Sequence, residues 1–358
     1  MKYYLITYGC QMNKSDSERL ASVLEKRGYK WTENKNQADV VVVNTCGVRQ
    51  SAEDRIYGLI PGIKKANPKA KVILTGCLVY RQDVKRRLKK YVDEWLMIGQ
   101  MTNDKFSHGF ARSSKATTMT NECQMPNAKC QNDYLKIIPK YEPGFSALVP
   151  IGNGCNNFCS YCVVPYARGR EVYRPAKDVL TEVKSLIKKN YKEITLIAQN
   201  VNSYKSLTSH TPLSKGGVRG LDFADLLKKV NDIKGDFKIK FITSHPKDMS
   251  DKLIKTMAGS KKVSREIHLP AQSGDNEILK KMNRKYTVLH YKKIIKTIRR
   301  LMPEAIISTD IIVGFPSETR KQFNNTVKLF KEIKFAKAYI ARYSPRPGTA
   351  AFKLADDV

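Results

Sequence analysis

Three cysteines stand close together at Cys155, Cys159 and Cys162, in the spacing C-x3-C-x2-C. Three thiolates this near one another can grip three corners of a [4Fe–4S] cube. The fourth iron then has no protein ligand and can accept a chelating small molecule, such as the amino and carboxylate groups of a sulfonium cofactor. Structural zinc is an alternative, but it usually takes four ligands in two close pairs. The fourth would have to come from His245 or His268, which lie at the ends of predicted strands and could equally be ordinary hydrogen-bonded residues. Tyr161, beside the last cysteine, is suited to packing near an adenine or into a core.

A second set is dispersed. Cys10, Cys46 and Cys77 are 36 and 31 residues apart, and each follows a predicted strand. In an open parallel sheet such strand ends converge on one rim, where ligands bind. A second [4Fe–4S] cluster with an open iron is the expectation, against the alternative that Gly9-Cys10 and Gly76-Cys77 are simply turn pairs. Cys123 and Cys130, with six residues between them, read as free thiols.

The elements that must position these residues alternate. Residues 2–7, 39–45, 71–76 and 94–98 read as strands, with helices over 15–27, 49–66 and 81–90. DVVVVNT (39–45) is continuously apolar at its centre, as a strand buried on both faces should be. Ser15 with Glu18 resembles a capping box. The helix over 49–66 is expected to be interrupted near Pro61 and Gly62. Residues 107–144 are polar and aperiodic, a linker or excursion. A second series follows, with strands at 146–151, 194–198, 238–243, 266–270, 306–315 and 337–343. Helices are expected near 175–190, 222–234, 248–259, 287–302 and 318–333. The chain therefore reads as α/β, with an open parallel-sheet (flavodoxin-like) domain over 1–106. A partial (β/α)6 TIM-like barrel over 145–358 carries its site in the loops at the strand C-terminal ends. Residues 205–220 read as an inserted, mobile loop.

Bulk properties narrow the partners. Lys and Arg number 65 against 33 Asp and Glu, a formal net charge of +32. A polyanion is the natural partner, with counterion release driving its binding, although a lysine-rich proteome would give the same excess. No apolar run is long enough to span a membrane, and the N-terminus lacks a signal-peptide core, so a cytoplasmic protein is expected. Eight cysteines without a secretion signal favour metal or redox use over disulfides.

GCNNFCSYCVVPYARGREVYRP resembles the cluster loop of radical S-adenosylmethionine enzymes in its methylthiotransferase version. TLIAQNVNSY, TSHPKDMSD, HLPAQSGDN, STDIIVGFPSET and YSPRPGTAA resemble the same family, as do YGCQMNKSDSE, NTCGVR and GCLVYR near the N-terminus. QMN after the first cysteine resembles the isopentenyladenosine-tRNA, MiaB-type branch. The resemblance implies two [4Fe–4S] clusters, the one on Cys155, Cys159 and Cys162 binding S-adenosylmethionine and the auxiliary one on Cys10, Cys46 and Cys77 presenting sulfur. It implies radical methylthiolation at C2 of N6-isopentenyladenosine at position 37 of a tRNA anticodon stem-loop. A radical is needed because the aromatic C–H is inert to polar chemistry. The two open irons are expected to face a shared cavity. A flavodoxin- or ferredoxin-type electron donor and a monomeric enzyme are expected. Tyr161, Gln199, Asn200, Asp310 and Gly314 are candidates to hold the cofactor, although Gly314-Phe315-Pro316 could simply be a turn. Arg168, Arg170 and Arg174 could contact cofactor carboxylate or RNA phosphate, or form a solvated basic loop. The chain stops at Ala355-Asp356-Asp357-Val358, where the family's C-terminal TRAM barrel would begin, so that domain is read as absent. Rival readings are a methylthiotransferase for threonylcarbamoyladenosine tRNA or a ribosomal protein, a non-catalytic iron–sulfur carrier, and an RNA-binding protein.

Overall fold

The run Val40–Thr45 is buried at every position, which fixes it as an inner strand. The computed structural model describes residues 1–100, 133–206, 220–355 and 357–358. The chain forms two compact units. The first comprises Met1–Glu142 with Asn153–Asn156 and Val163–Val172, the second Pro143–Gly152, Asn157–Cys162 and Tyr173–Val358.

In the first unit β1 (Lys2–Tyr8), β2 (Lys30–Trp31), β3 (Val40–Thr45), β4 (Lys71–Gly76) and β5 (Glu94–Leu96) form one sheet in the order β2-β1-β3-β4-β5. All its pairings are parallel. The strand period of two divides the valines of β3 between two cores. Val40 and Val42 pack with Leu20 and Leu24 of α1 (Gln11–Lys26). Val41 and Val43 pack with Ile56, Ile60 and Ile63 of α2 (Gln50–Ala66), and Val84 and Leu88 of α3 (Gln82–Leu88) complete that face. Full burial of each such side chain contributes about 1.5–3 kcal/mol.

Three expectations need correction here. α1 begins at Gln11, four residues before the expected start, and Cys10 is its N-cap. The intended cap, Ser15, is buried within the helix. α2 runs unbroken through Pro61. Losing one backbone hydrogen bond and accommodating the ring costs about 3 kcal/mol, which the burial of Ile56, Ile60 and Ile63 offsets. Tyr134 and Leu135, inside the expected linker, are buried in the first unit's core.

In the second unit β6 (Ser146–Pro150), β9 (Glu193–Ile197) and β12 (Lys238–Ile242) pair in parallel, as do β13 (Glu266–His268), β14 (Ile306–Val313) and β15 (Lys337–Arg342). A single parallel bridge, Ile239 to Val263, marks the passage from one trio towards the other. The two-residue strands β7 (Gly152–Asn153), β8 (Val172–Tyr173), β10 (Lys205–Ser206) and β11 (Leu221–Asp222) lie in the connections. The short α4 (Val164–Arg168) belongs to the first unit, and in the second α5 (Ala176–Lys188), α6 (Phe223–Asn231), α7 (Asp251–Gly259), α8 (Asn276–Lys281), α9 (Val288–Leu301) and α10 (Arg320–Ile333) alternate with the principal strands. Asp222, Ser250, Asp275, Thr287 and Thr319 cap α6 to α10 in turn. The result is the expected six-stranded partial barrel. Most of the expected inserted loop, and Cys123 and Cys130, lie outside the described residues. No helix among the described residues is long and apolar enough to cross a membrane.

Ile73 is fully buried in the first unit, whereas Leu289 is 77% exposed on α9. Ile73→Ala should destabilise the protein by about 2–5 kcal/mol. Leu289→Ala should stay within about 0.5 kcal/mol. Denaturant midpoints followed by circular dichroism would test the contrast.

Candidate functional site

Register brings the three early cysteines together. Tyr8 pairs with Thr45, and Thr45 with Gly76, at the C-terminal ends of β1, β3 and β4. One residue further on, the Cys46 amide donates to Tyr8 O at 2.8 Å, and the Cys77 amide donates to Thr45 O at 2.8 Å. Gly76 makes the turn with φ +97°, and a Cβ there would collide with Thr45 O. The third cysteine is held through side chains. Asn13 Oδ1 accepts from the Cys10 amide at 3.3 Å and from its thiol at 3.4 Å. Asn13 Nδ2 donates to Asn44 Oδ1 at 3.0 Å, and Asn44 Nδ2 donates to Asn13 O at 2.8 Å and Ser17 Oγ at 2.9 Å. Asn13 and Asn44 are both fully buried.

Cys46 and Cys77 are both buried. Burial pushes the Cys77 thiol up to about 11, although the nearby Arg168 guanidinium opposes the shift. Burial also raises Cys46, against the Val48 amide that donates to its sulfur. Close thiols that resist ionisation alone become good ligands when a cation compensates their charge. Among the described residues no three His, Cys, Asp or Glu side chains converge as they would around a single ion. A cube takes its thiolates at separate corners, and Cys10, Cys46 and Cys77 each follow one of three neighbouring strand ends.

The later triplet begins in the first unit. Gly154 takes φ +84°, where a Cβ would strike Arg170 O, and the Cys155 amide donates to Gly169 O at 3.1 Å. In the second unit the Cys162 amide donates to Cys159 O at 2.9 Å, and the Ser160 amide donates to Met282 O at 3.1 Å. Asn283 Nδ2 donates to Phe158 O at 2.8 Å, and Arg284 Nη1 reaches Cys159 Sγ at 3.5 Å. Tyr161 is partly buried against Ile278, Met282, Phe315, Tyr343 and Ala351. Asn283 and Arg284 escaped the sequence reading because nothing in MNRKYT marks them as partners of a loop more than 120 residues earlier.

A set of buried oxygens without hydrogen-bond partners among the described residues follows the barrel strands in sequence. It comprises Gln199 Oε1 and Asn200 Oδ1 after β9, Ser244 Oγ after β12, Gln272 Oε1 after β13 and Glu318 Oε1 beyond β14. Buried polar atoms are ordinarily paired, so this cluster at the strand C-terminal ends fits a polar ligand rich in donors. Asn200 Nδ2 is anchored on Asp248 at 2.7 Å. Gly314 takes φ +64° and its amide donates to Glu318 Oε2 at 2.6 Å. Asp310 is half-exposed and meets His268 Nε2 at 3.2 Å, while His268 Nδ1 lies 3.0 Å from Ser308 Oγ.

Two of the three arginines expected at a ligand or RNA surface are interior. Arg168 is 2% exposed and paired with Asp16. Arg174 is buried, with Nη1 on Pro150 O at 2.9 Å and on Glu182. Their charges are satisfied by carboxylates within the fold, and only Arg170 is exposed. Among the described residues neither histidine of the zinc alternative joins a group of three or more His, Cys, Asp or Glu side chains. His268 is engaged as above, and His245 Nδ1 accepts from the Lys247 amide at 3.2 Å.

Comparison with known proteins gives matches to both units. Residues 2–99 match "Uncharacterized protein family UPF0004", and residues 149–330 match the radical SAM superfamily. A tRNA-2-methylthio-N(6)-dimethylallyladenosine synthase of Thermoanaerobacter sp. is 44% identical over 362 residues, 99% of this chain and 74% of the relative. One of Clostridium botulinum is 41% identical over 364 residues, covering 100% and 78%. Among solved structures, the radical S-adenosylmethionine methyltransferase TsrM of Kitasatospora setae shares the fold. Its TM-score is 0.67 at 12% identity, over 98% of this chain and 73% of that one. The cobalamin-dependent S-adenosylmethionine radical enzyme OxsB gives 0.62 at 11% identity, over 92% and 51%.

His245 supplies a pH test. Burial, then Arg284 and Lys247, lower its pKa from 6.5 to about 2. The unfolded chain takes up this proton as pH falls through about 6.5, and the folded chain does not. This residue therefore removes about 1.4 kcal/mol of stability per pH unit below about 6.5. His245→Asn, whose oxygen can replace Nδ1 as acceptor, should flatten stability between pH 7 and 5 by that slope in denaturant titrations.

Proposed function

The chain belongs to the tRNA-2-methylthio-N(6)-dimethylallyladenosine synthases of the radical S-adenosylmethionine superfamily, and on that premise we propose how its residues divide the work. It is an enzyme that methylthiolates an N6-dimethylallyladenosine of tRNA, with S-adenosylmethionine and a [4Fe–4S] cluster. Cys155, Cys159 and Cys162 hold that cluster, and Cys10, Cys46 and Cys77 hold a second one. When bound, the first cluster and S-adenosylmethionine supply a 5′-deoxyadenosyl radical, and the second supplies the sulfur that becomes methylthio.

The observation that carries this division is the register Tyr8–Thr45–Gly76, which sets Cys10, Cys46 and Cys77 just beyond three neighbouring strand ends. The chain's own residues do the holding. Arg284 approaches Cys159 and fixes its loop to Pro270 O at 3.2 Å. Gln199, Asn200, Ser244 and Gln272 offer unpartnered oxygens suited to the ammonium and ribose hydroxyls of S-adenosylmethionine. Glu318 Oε2 holds the Gly314 turn through its amide, and Asp310, within β14, meets His268 at the end of β13. Tyr161 sets an apolar wall beside its two cysteines.

The finer partners follow from the same reading. The net charge of +32 suits an RNA stem, and the substrate adenosine is at position 37 of the anticodon stem-loop, in the cytoplasm. A flavodoxin- or ferredoxin-type protein supplies the electron to a monomeric enzyme. The expected scheme of 1–106, a 107–144 connection and a 145–358 barrel is adjusted, because Tyr134 and Leu135 pack in the first unit's core. Of the three loop arginines, Arg170 is the exposed one and is the candidate for a phosphate contact.

Anaerobic reconstitution tests the assignment. About eight irons per chain are expected for two cubes. Cys10→Ala/Cys46→Ala/Cys77→Ala should keep about four irons and still cleave S-adenosylmethionine to 5′-deoxyadenosine with dithionite, while forming no methylthio nucleoside. Cys159→Ala should lose 5′-deoxyadenosine itself. Nucleoside mass spectrometry and iron analysis read both, and full activity from the triple variant would refute the assignment. Gln199→Ala/Asn200→Ala should raise KM for S-adenosylmethionine at least about tenfold, the loss of roughly one or two hydrogen bonds.

A further inference from the structure

Arg168 is a charge buried where burial is costly. Its side chain is 2% exposed and that of its partner Asp16 is fully buried. Nη2 donates to Asp16 Oδ2 at 2.5 Å, and Nη1 donates to Asn153 Oδ1 at 3.1 Å and Asp16 Oδ1 at 3.4 Å. Asp16 also accepts from the buried Tyr134 hydroxyl. A buried ion pair of this kind is often replaceable by apolar residues at no loss of stability. What the pair with Asp16 does not explain is the third direction of the guanidinium: Nε donates to Cys77 Sγ at 3.3 Å.

Lysine could satisfy Asp16, but it has no planar fork and no Nε–H aimed sideways. The geometry therefore requires arginine only if the contact to sulfur matters. The surrounding charge agrees. Arg19 is a second buried guanidinium close by, bonded to Ser15 Oγ at 2.7 Å and lying over the Tyr134 ring. Arg168 and Arg19 thus bring two guanidiniums to the surroundings of Asp16 and Tyr134. An iron–sulfur cube on three thiolates is net anionic, which the guanidinium bonded to Cys77 Sγ complements.

We propose that Arg168 is a positioning residue for the auxiliary cluster, whose Nε–H holds the Cys77 sulfur and raises the reduction potential of the Cys10/Cys46/Cys77 site. Hydrogen bonds to cluster sulfurs stabilise the reduced, more negative state, and a donor that is itself cationic is the stronger kind. Removing the bond lowers the potential. This role rests on the reading that those three cysteines hold a cluster.

The test uses the full chain carrying Cys155→Ala/Cys159→Ala/Cys162→Ala, reconstituted anaerobically, so that only the auxiliary site binds iron. Redox titration followed by electron paramagnetic resonance gives its midpoint potential. Arg168→Lys keeps the charge beside Asp16 and loses Nε–H. Arg168→Met with Asp16→Asn removes both charges and leaves an acceptor for Tyr134. Both should retain about four irons and the parent's circular dichroism. Both should shift the potential negatively by a tenfold change in the reduction equilibrium, about 59 mV for one electron. Iron bound with an unchanged potential in both variants overturns the role of Arg168 alone. A parent that binds no iron overturns the cluster reading, and this role with it.

Discussion

Two backbone hydrogen bonds organise the first unit's chemistry: the Cys46 amide on Tyr8 O and the Cys77 amide on Thr45 O. They are the last rungs of a parallel ladder, continued one residue past the strands. Parallel register is set by the apolar pattern of β3, since a one-residue slip would exchange its two valine faces. The location of the thiols is thus a by-product of where Val40 to Val43 must lie. Polar side chains only refine it, through Asn13 and Asn44, which tie the start of α1 to the end of β3.

The same logic governs the barrel. Its strands place Gln199, Asn200, Ser244 and Gln272 at successive C-terminal ends, where their oxygens lack partners among the described residues. Such atoms lower stability unless something else satisfies them. Packing thus leaves polar groups incomplete at the strand ends, while Asp222, Ser250, Asp275, Thr287 and Thr319 cap five of the helices.

Much of this was legible in the sequence because strand and helix periods differ and cysteine is rare. The alternation of strands and helices, the six cysteines, and Gln199 and Asn200 at a strand end are all local signals. Cys10 as a helix cap was not legible, since cysteine is not among the usual capping residues, and Ser15 offered a conventional decoy. Pro61 misled because its local cost is visible while the burial of Ile56 and Ile60 is tertiary. Arg168 and Arg174 looked like surface cations because their carboxylates, Asp16 and Glu182, cannot be assigned from local spacing. Asn44, Tyr134 and Arg284 gave no signal at all, since each acts through partners 31 to 125 residues away.

The long reach of Arg168 also bears on how the protein is made. Asp16 waits for a residue 152 positions later, and for Tyr134, 118 positions later. A nascent chain can pair β1, β3 and β4 as soon as they leave the ribosome, but the carboxylate between them stays without its cation until the stretch through Val172 has followed. The N-terminal unit is thus completed in translation order only after part of its successor has been synthesised.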